Sequence, residues 1–144
     1  MLRYFMALLP EVVTTLRLII GIWIIVAGAL KFQNYFGFIR TMKQSKLFGD
    51  RQATIVGYSY PFIEVLTGLA ITLNTTLFIP ALVIVFVKQI LTSIGITLMI
   101  RREAKIENLG SYGTLIPTPL HWIRLVDHFI IAALCLILLV NVGW

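Results

Sequence analysis

Long apolar stretches separated by shorter polar ones make up most of the chain. Four of them reach the roughly 20 mostly apolar residues that a helix needs to cross a bilayer, at residues 12–30, 55–73, 76–100 and 121–142. The connection at Asn74 and Thr75 is so short that the second and third helices must form an antiparallel hairpin. The pattern predicts an all-α membrane protein, a four-transmembrane-helix bundle that forms a single domain over residues 1–144.

The loop after the first helix has an amphipathic pattern. Its apolar side chains recur at helical spacing with basic and polar residues between them, at Phe32, Tyr35, Phe36, Ile39 and Met42. Such a segment lies in the headgroup region or covers the mouth of the bundle, and both placements fit the pattern. We predict a short interfacial helix over about residues 32–46, with Phe36 and Ile39 facing lipid or bundle.

The composition agrees with a membrane protein, because 59% of the residues are hydrophobic and 12% are charged. A soluble domain of this size needs more polar surface. The net charge of +6 has a topological explanation, since residues 31–57 and 101–120 hold five and three Lys or Arg. The positive-inside rule places both loops in the cytoplasm and both termini outside. We expect a multi-pass protein of a bacterial-type inner (plasma) membrane. We expect it to contact the lipid bilayer and not to bind nucleic acid.

Ionisable residues interrupt the apolar stretches. Each costs about 2.5 to 3.5 kcal/mol at the centre of a helix, so such residues face the bundle interior and find partners. They are Arg17, Lys31, Glu64, Lys88, Arg124 and Asp127. Four cations against two carboxylates leave an excess of positive charge. That excess favours entry of an anionic or hydrogen-bonding group, such as a lipid headgroup, a quinone carbonyl or an acidic residue of a partner protein.

Depth along the helices suggests which of these charges meet. Lys88 and Glu64 lie roughly 18 Å and 14 Å from the same side of the bilayer, at 1.5 Å per residue, on the two arms of the hairpin. We therefore predict that Glu64 is the main partner of Lys88, and that Asp127 pairs with Arg124 or Lys31. A purely structural role, in which these pairs only fix the order of the helices, remains open.

His128 is a further candidate for the polar interior. His121 lies seven residues before it on the same helix, and two histidines at that spacing do not complete a zinc or haem site. The chain has one cysteine, Cys135, in the apolar centre of the fourth helix. We interpret it as a small buried hydrophobic residue. We assign no metal ligand and no catalytic residue.

Small residues lie at helical spacing on the first two membrane helices. Gly21 and Gly28 share one face of the first helix, and Pro61 and Gly68 share a face of the second with Glu64. Small residues allow close approach of helices in lipid, where packing drives association. We predict that these two faces pack together.

Two of these stretches resemble a known family. The segment RLIIGIWIIVAGALKF resembles the first helix of the DoxX and MauE group of small four-helix membrane proteins, with its arginine, glycines and terminal lysine. The segment YPFIEVLTGLAITL resembles the second helix of that group, with the pattern P-x-x-E-x-x-x-G. Arg101 and Arg102, the following glycine-containing loop and Asp127 continue the resemblance over nearly the whole chain.

The third loop departs from the MauE pattern. MauE-type proteins usually carry a Cys-Gly-Cys-Phe-Gly element there, associated with thiol chemistry in the maturation of a periplasmic dehydrogenase. Residues 108–113 read NLGSYG, so the glycine framework is similar and both cysteines are missing.

The resemblance implies a membrane component of a redox or maturation system, with three hypotheses. In the first, the chain is a non-catalytic accessory or assembly subunit whose charged interior docks a lipid, a quinone or a membrane or periplasmic protein. In the second, it is a quinone-interacting redox subunit in which Lys88, Glu64 and Asp127 bind or protonate a headgroup. In the third, it is a small transporter or membrane chaperone, which a cavity open to one side would favour.

The charge bias gives a test of topology. Cysteines introduced at Lys43 and Trp144 are expected to react with membrane-impermeant thiol reagents from opposite sides, at Lys43 from the cytoplasm and at Trp144 from outside. Labelling at Trp144 from the cytoplasm only would contradict the predicted orientation.

Overall fold

A computed structural model describes residues 10–102, 106, 109 and 119–142. Within these residues the chain forms five helices, α1 (Pro10–Gln33), α2 (Tyr35–Gln44), α3 (Asp50–Thr72), α4 (Phe78–Arg101) and α5 (Ile123–Val142). Of the helices described, α1, α3, α4 and α5 are long and apolar enough to cross a membrane. The predicted all-α bundle of four transmembrane helices is therefore confirmed.

The short helix α2 lies where the amphipathic pattern places it. The side chain of Asn34 accepts a hydrogen bond of 2.9 Å from the backbone N–H of Gly37, which caps the first turn. Phe36 is 77% exposed, whereas Ile39 is buried and packs against Gly57 of α3. The hydroxyl of Tyr35 donates to the carbonyl oxygen of Tyr58, so α2 is attached to the first half of α3.

The hairpin between α3 and α4 depends on residues suited to a tight turn. Asn74 has a φ of 52°, in the left-handed region that asparagine tolerates better than most residues. Pro80 falls in the first turn of α4, where a missing N–H breaks no helical hydrogen bond. These local features place the Glu64 helix and the Lys88 helix side by side and antiparallel.

Helices α1 and α3 approach each other closely. A Cβ atom on Gly68 would lie 2.8 Å from the carbonyl oxygen of Gly21, and one on Gly28 would lie 3.0 Å from the carbonyl oxygen of Pro61. The structure thus brings together the two faces of small residues, backbone against backbone. Helix α5 packs mainly against α4. The bundle therefore consists of two closely packed pairs, α1 with α3 and α4 with α5.

An apolar core joins the two pairs at the end near the hairpin turn. It contains Cys135 and buried aliphatic side chains from all four long helices, including Ile24, Ile71, Leu82 and Leu138. Large apolar side chains also cover the outer surface, for example Ile22, Ile130 and Leu91. Such a surface suits the hydrocarbon interior of a bilayer, and the chain is a multi-pass membrane protein.

The contact at Gly68 predicts a large effect from a small substitution. We expect Gly68→Ala to destabilise the protein by about 1 to 3 kcal/mol, because its methyl group would force the α1 and α3 backbones apart. Unfolding of the purified protein in detergent measures the change.

Gly95→Ala is the matched control. Its Cβ would meet only the end of the Leu47 side chain, at 3.2 Å. We expect its stability to be unchanged or slightly raised, since alanine favours helix more than glycine does. Equal losses in the two variants would contradict the role given to the α1–α3 contact.

Candidate functional site

A single carboxylate lies between two ammonium groups at the centre of the bundle. Glu64 accepts a hydrogen bond of 2.6 Å from Lys31 Nζ at one oxygen and of 2.8 Å from Lys88 Nζ at the other. Glu64 and Lys31 are 3% and 2% exposed, and Lys88 is 14% exposed. The three side chains, here called the central triad, come from α3, α1 and α4 and carry a formal charge of +1.

The contact predicted between Lys88 and Glu64 is thus present in the structure. Lys31 also pairs with Glu64, and of the two partners predicted for Asp127, Arg124 or Lys31, the structure has Arg124. Lys31 lies close to the Glu64 carboxylate because α1 passes over α3 at Gly28, and its ammonium also donates to the carbonyl oxygen of Ala27 at 3.3 Å. Asp127 pairs instead with Arg124, one turn before it on α5, at 3.2 Å.

Aromatic rings enclose the central triad. The ring of Tyr60 lies 5.5 Å from Lys31 Nζ and 5.4 Å from Lys88 Nζ, and the ring of Phe38 lies 5.7 Å from Lys31 Nζ. These distances allow cation–π attraction, which is stronger where water is excluded. Helix α2 therefore contributes Phe38 to the site as well as covering α3.

A second polar contact joins the two arms of the hairpin near the triad. The hydroxyl groups of Tyr60 and Thr92 lie 3.1 Å apart. Tyr60 is one turn from Glu64 on α3, and Thr92 is one turn from Lys88 on α4. The two polar turns face each other because side chains four residues apart share one face of a helix.

His128 lies beside the triad without joining it. Its Nδ1 is 2.6 Å from Oε1 of Gln89, the residue that follows Lys88. A carbonyl oxygen can only accept, so this contact places a proton on Nδ1. His121 lies apart from this group, and its ring accepts from the backbone N–H of Ile123 at the start of α5.

A cavity of about 640 Å³ adjoins the triad and extends between the two helix pairs. Its walls are mostly apolar side chains. The structure brings all six predicted ligand or partner-binding candidates to this one cavity, namely Lys31, Glu64, Lys88, Arg124, Asp127 and His128. Its volume lies in the range of cavities that hold small organic ligands.

Some of the side chains that line the cavity are also exposed. Ile63 of α3 and Val87 and Leu91 of α4 are among them, with exposed fractions of 41%, 47% and 62%.

The sequence interpretation did not include Phe38, Tyr60, Gln89 or Thr92. For Tyr60 and Thr92 a signal was available, because each lies four residues from a charged residue assigned to the interior. Gln89 is a polar residue within an apolar helix, a similar signal. Phe38 had none, because its place depends on how α2 folds back onto α3.

Two other predicted features lie away from the triad. Cys135 is buried in the apolar core, as expected for a small hydrophobic residue. The glycine element at residues 108–113 lies outside the described residues except for Leu109, which is buried and borders the cavity. Among the residues that the structure describes, no three His, Cys, Asp or Glu side chains are grouped as metal ligands would be.

Comparison with known proteins gives one match. A family profile described as "Methylamine utilisation protein MauE" matches residues 9–141. The matched segment contains α1 to α4 and every residue of the central triad. No curated protein and no solved structure matches the chain.

The triad predicts unequal effects of removing its charges. Glu64→Gln removes the carboxylate that the two buried ammonium groups share, and we expect it to cost roughly 3 to 5 kcal/mol. Lys88→Met leaves Glu64 paired with Lys31, so we expect a smaller loss. Adding Lys88→Met to Glu64→Gln should recover part of the stability, because one unbalanced charge is removed.

Asp127→Asn is the matched control, since its pair with Arg124 is partly exposed and should contribute at most about 1 kcal/mol. Unfolding of all four variants in detergent gives the comparison. Simple additivity of the Glu64 and Lys88 substitutions would contradict the coupling.

Proposed function

The chain belongs to the MauE family of membrane proteins, and from this premise we propose that it is a non-catalytic accessory or assembly subunit of a membrane-associated redox or maturation system. Its charged interior docks a lipid, a quinone or a partner protein. We place it in a bacterial-type inner membrane with both termini on the non-cytoplasmic side, as its loop charges predict.

The observation that supports docking is the central triad beside the cavity. Two lysines share one carboxylate in a setting where an unbalanced charge is costly. Lys88 is the more exposed lysine and lines the cavity. A docked group that is anionic or rich in acceptors would stabilise this arrangement, whereas a purely structural ion pair needs no cavity beside it.

Thiol exchange by this chain is disfavoured on two grounds. The third loop lacks both cysteines of the MauE-type element. Cys135 is enclosed by the apolar core, whereas exchange needs an accessible thiolate. We therefore propose that the chain supports the maturation or assembly of another protein.

A quinone-interacting redox subunit is the second candidate. The observation that favours it is that Lys88, a hydrogen-bond donor, lines a cavity with mostly apolar walls. A quinone carbonyl could accept from this donor. The third candidate is a small transporter or membrane chaperone. It would use the same cavity, and its ligand would have to pass across the bundle.

Deletion and rescue test the accessory role. We expect that loss of the gene lowers the amount of a mature redox protein in the membrane or periplasm of the host, and that the wild-type chain restores it. The folded Glu64→Gln/Lys88→Met double variant should not, because it lacks the shared carboxylate and the more exposed lysine of the triad. Immunoblotting and activity of that redox protein are the readouts.

Lys43→Met is the control for rescue, since Lys43 is an exposed lysine on α2.

The purified chain should show no turnover with a reduced quinone analogue. Normal maturation in the deletion strain would contradict the accessory role, and quinol turnover would favour the second candidate.

A further inference from the structure

One face of α2 combines an exposed aromatic ring with two exposed cations. Phe36, Arg40 and Lys43 are exposed, and their spacing of four and three residues places them on one face of the helix. The other face is buried, and the ring of Phe38 on it lies 5.7 Å from Lys31 Nζ. The stripe formed by Phe36, Arg40 and Lys43, here called the basic face of α2, is therefore turned away from the central triad.

The two cations of the basic face have no carboxylate partner in the part of the chain that the structure describes. The ion pairs described there are those of Lys31, Lys88 and Arg124. No Asp or Glu occurs in the sequence between Glu11 and Asp50, so α2 has no acidic residue of its own. The basic face can therefore attract negative charge from outside the chain.

Contacts at both ends of α2 define its depth in the bundle. Ile39 lies against Gly57 of α3, and Leu47, three residues after α2 ends, lies against Gly95 of α4. Helix α3 begins seven residues before Gly57 and α4 ends six residues after Gly95, so both continue past α2 by roughly 9 to 11 Å at 1.5 Å per residue.

This depth places the basic face inside the ends of the bundle. With 23 and 24 residues, α3 and α4 are only slightly longer than the hydrocarbon core of a bilayer, which is roughly 30 Å thick. The basic face thus lies close to the boundary between acyl chains and headgroups. A soluble acidic protein fits this position less well, because the projecting ends of α3 and α4 stand between it and α2.

We propose that the basic face of α2 binds anionic phospholipids, with their acidic headgroups on Arg40 and Lys43 and the ring of Phe36 among the acyl chains. Cations near a bilayer surface attract acidic lipids, and an aromatic ring on the same face anchors a helix at the boundary. Binding at this face is separate from docking in the cavity. A Lys43→Met chain that binds less acidic lipid is therefore still expected to restore maturation.

Quenching of tryptophan fluorescence by brominated lipids measures which lipid contacts this face. The full chain is placed in vesicles of phosphatidylcholine and phosphatidylglycerol, with Phe36→Trp as the reporter and the three native tryptophans replaced by phenylalanine. Brominating one lipid or the other gives the association constant of each at the reporter. We expect phosphatidylglycerol, which is anionic, to be preferred at residue 36 by about fivefold or more.

Leu136→Trp in the same background is the control reporter. Leu136 is exposed on the outer surface of α5, and no charged residue lies within four positions of it in the sequence. We expect no preference between the two lipids at this position. Because both reporters leave Arg40 and Lys43 unchanged, their comparison tests the site even if variants of these cations do not fold.

Two double variants locate the attraction. Arg40→Gln/Lys43→Gln should bring the preference reported by Phe36→Trp to about one, since both cations of the basic face are removed. Arg101→Gln/Arg102→Gln removes the same charge from exposed positions at the end of α4 and should leave most of the preference in place.

Three results would overturn the proposal. The first is a preference of about one at residue 36, and the second is an equal loss in the two double variants, which would assign the attraction to the whole basic end of the bundle. The third concerns an acidic protein as the partner, for which polyglutamate is the probe. If polyglutamate shifts the emission of the Phe36→Trp reporter through Arg40 and Lys43 while no lipid preference is seen, the face binds an acidic protein instead.

Discussion

The shared carboxylate of Glu64 is the contact on which the interior of this bundle depends. A lone ammonium group in a bilayer is costly, and here two of them meet one carboxylate. The requirement that both lysines reach Glu64 fixes the relative depth of α1, α3 and α4. Buried ion pairs contribute little net stability. We therefore interpret the triad chiefly as a contact that sets how the helices are arranged relative to one another.

Close packing of α1 on α3 makes the triad geometrically feasible. The glycines remove side chains from the contact, so the two backbones approach until Lys31 lies against Glu64. The opposite arm of the hairpin supplies Lys88 from a helix that packs mainly on α5. The triad and the contact of Tyr60 with Thr92 thus join two helix pairs that otherwise leave a cavity between them.

Binding is the role that we propose for this arrangement. The carboxylate is held at both oxygens, the thiol is enclosed in the apolar core, and the most accessible donor of the triad is Lys88. Membership of the MauE family is consistent with a supporting role near a redox system. Docking is the contribution that we propose for this chain, whose third loop lacks the MauE-type cysteines.

The sequence by itself determined the membrane class, the four long helices, the short helix α2 and the hairpin, because hydropathy, length and turn residues act locally along the chain. It also predicted the meeting of Lys88 with Glu64, since a short turn leaves the depth of the two arms little freedom. Only the tertiary structure decided that Lys31 shares Glu64, that the ring of Phe38 lies near Lys31 and that a cavity lies between the two helix pairs. Those features depend on the rotation and offset of helices that are distant in sequence, which are set by side-chain packing across the bundle.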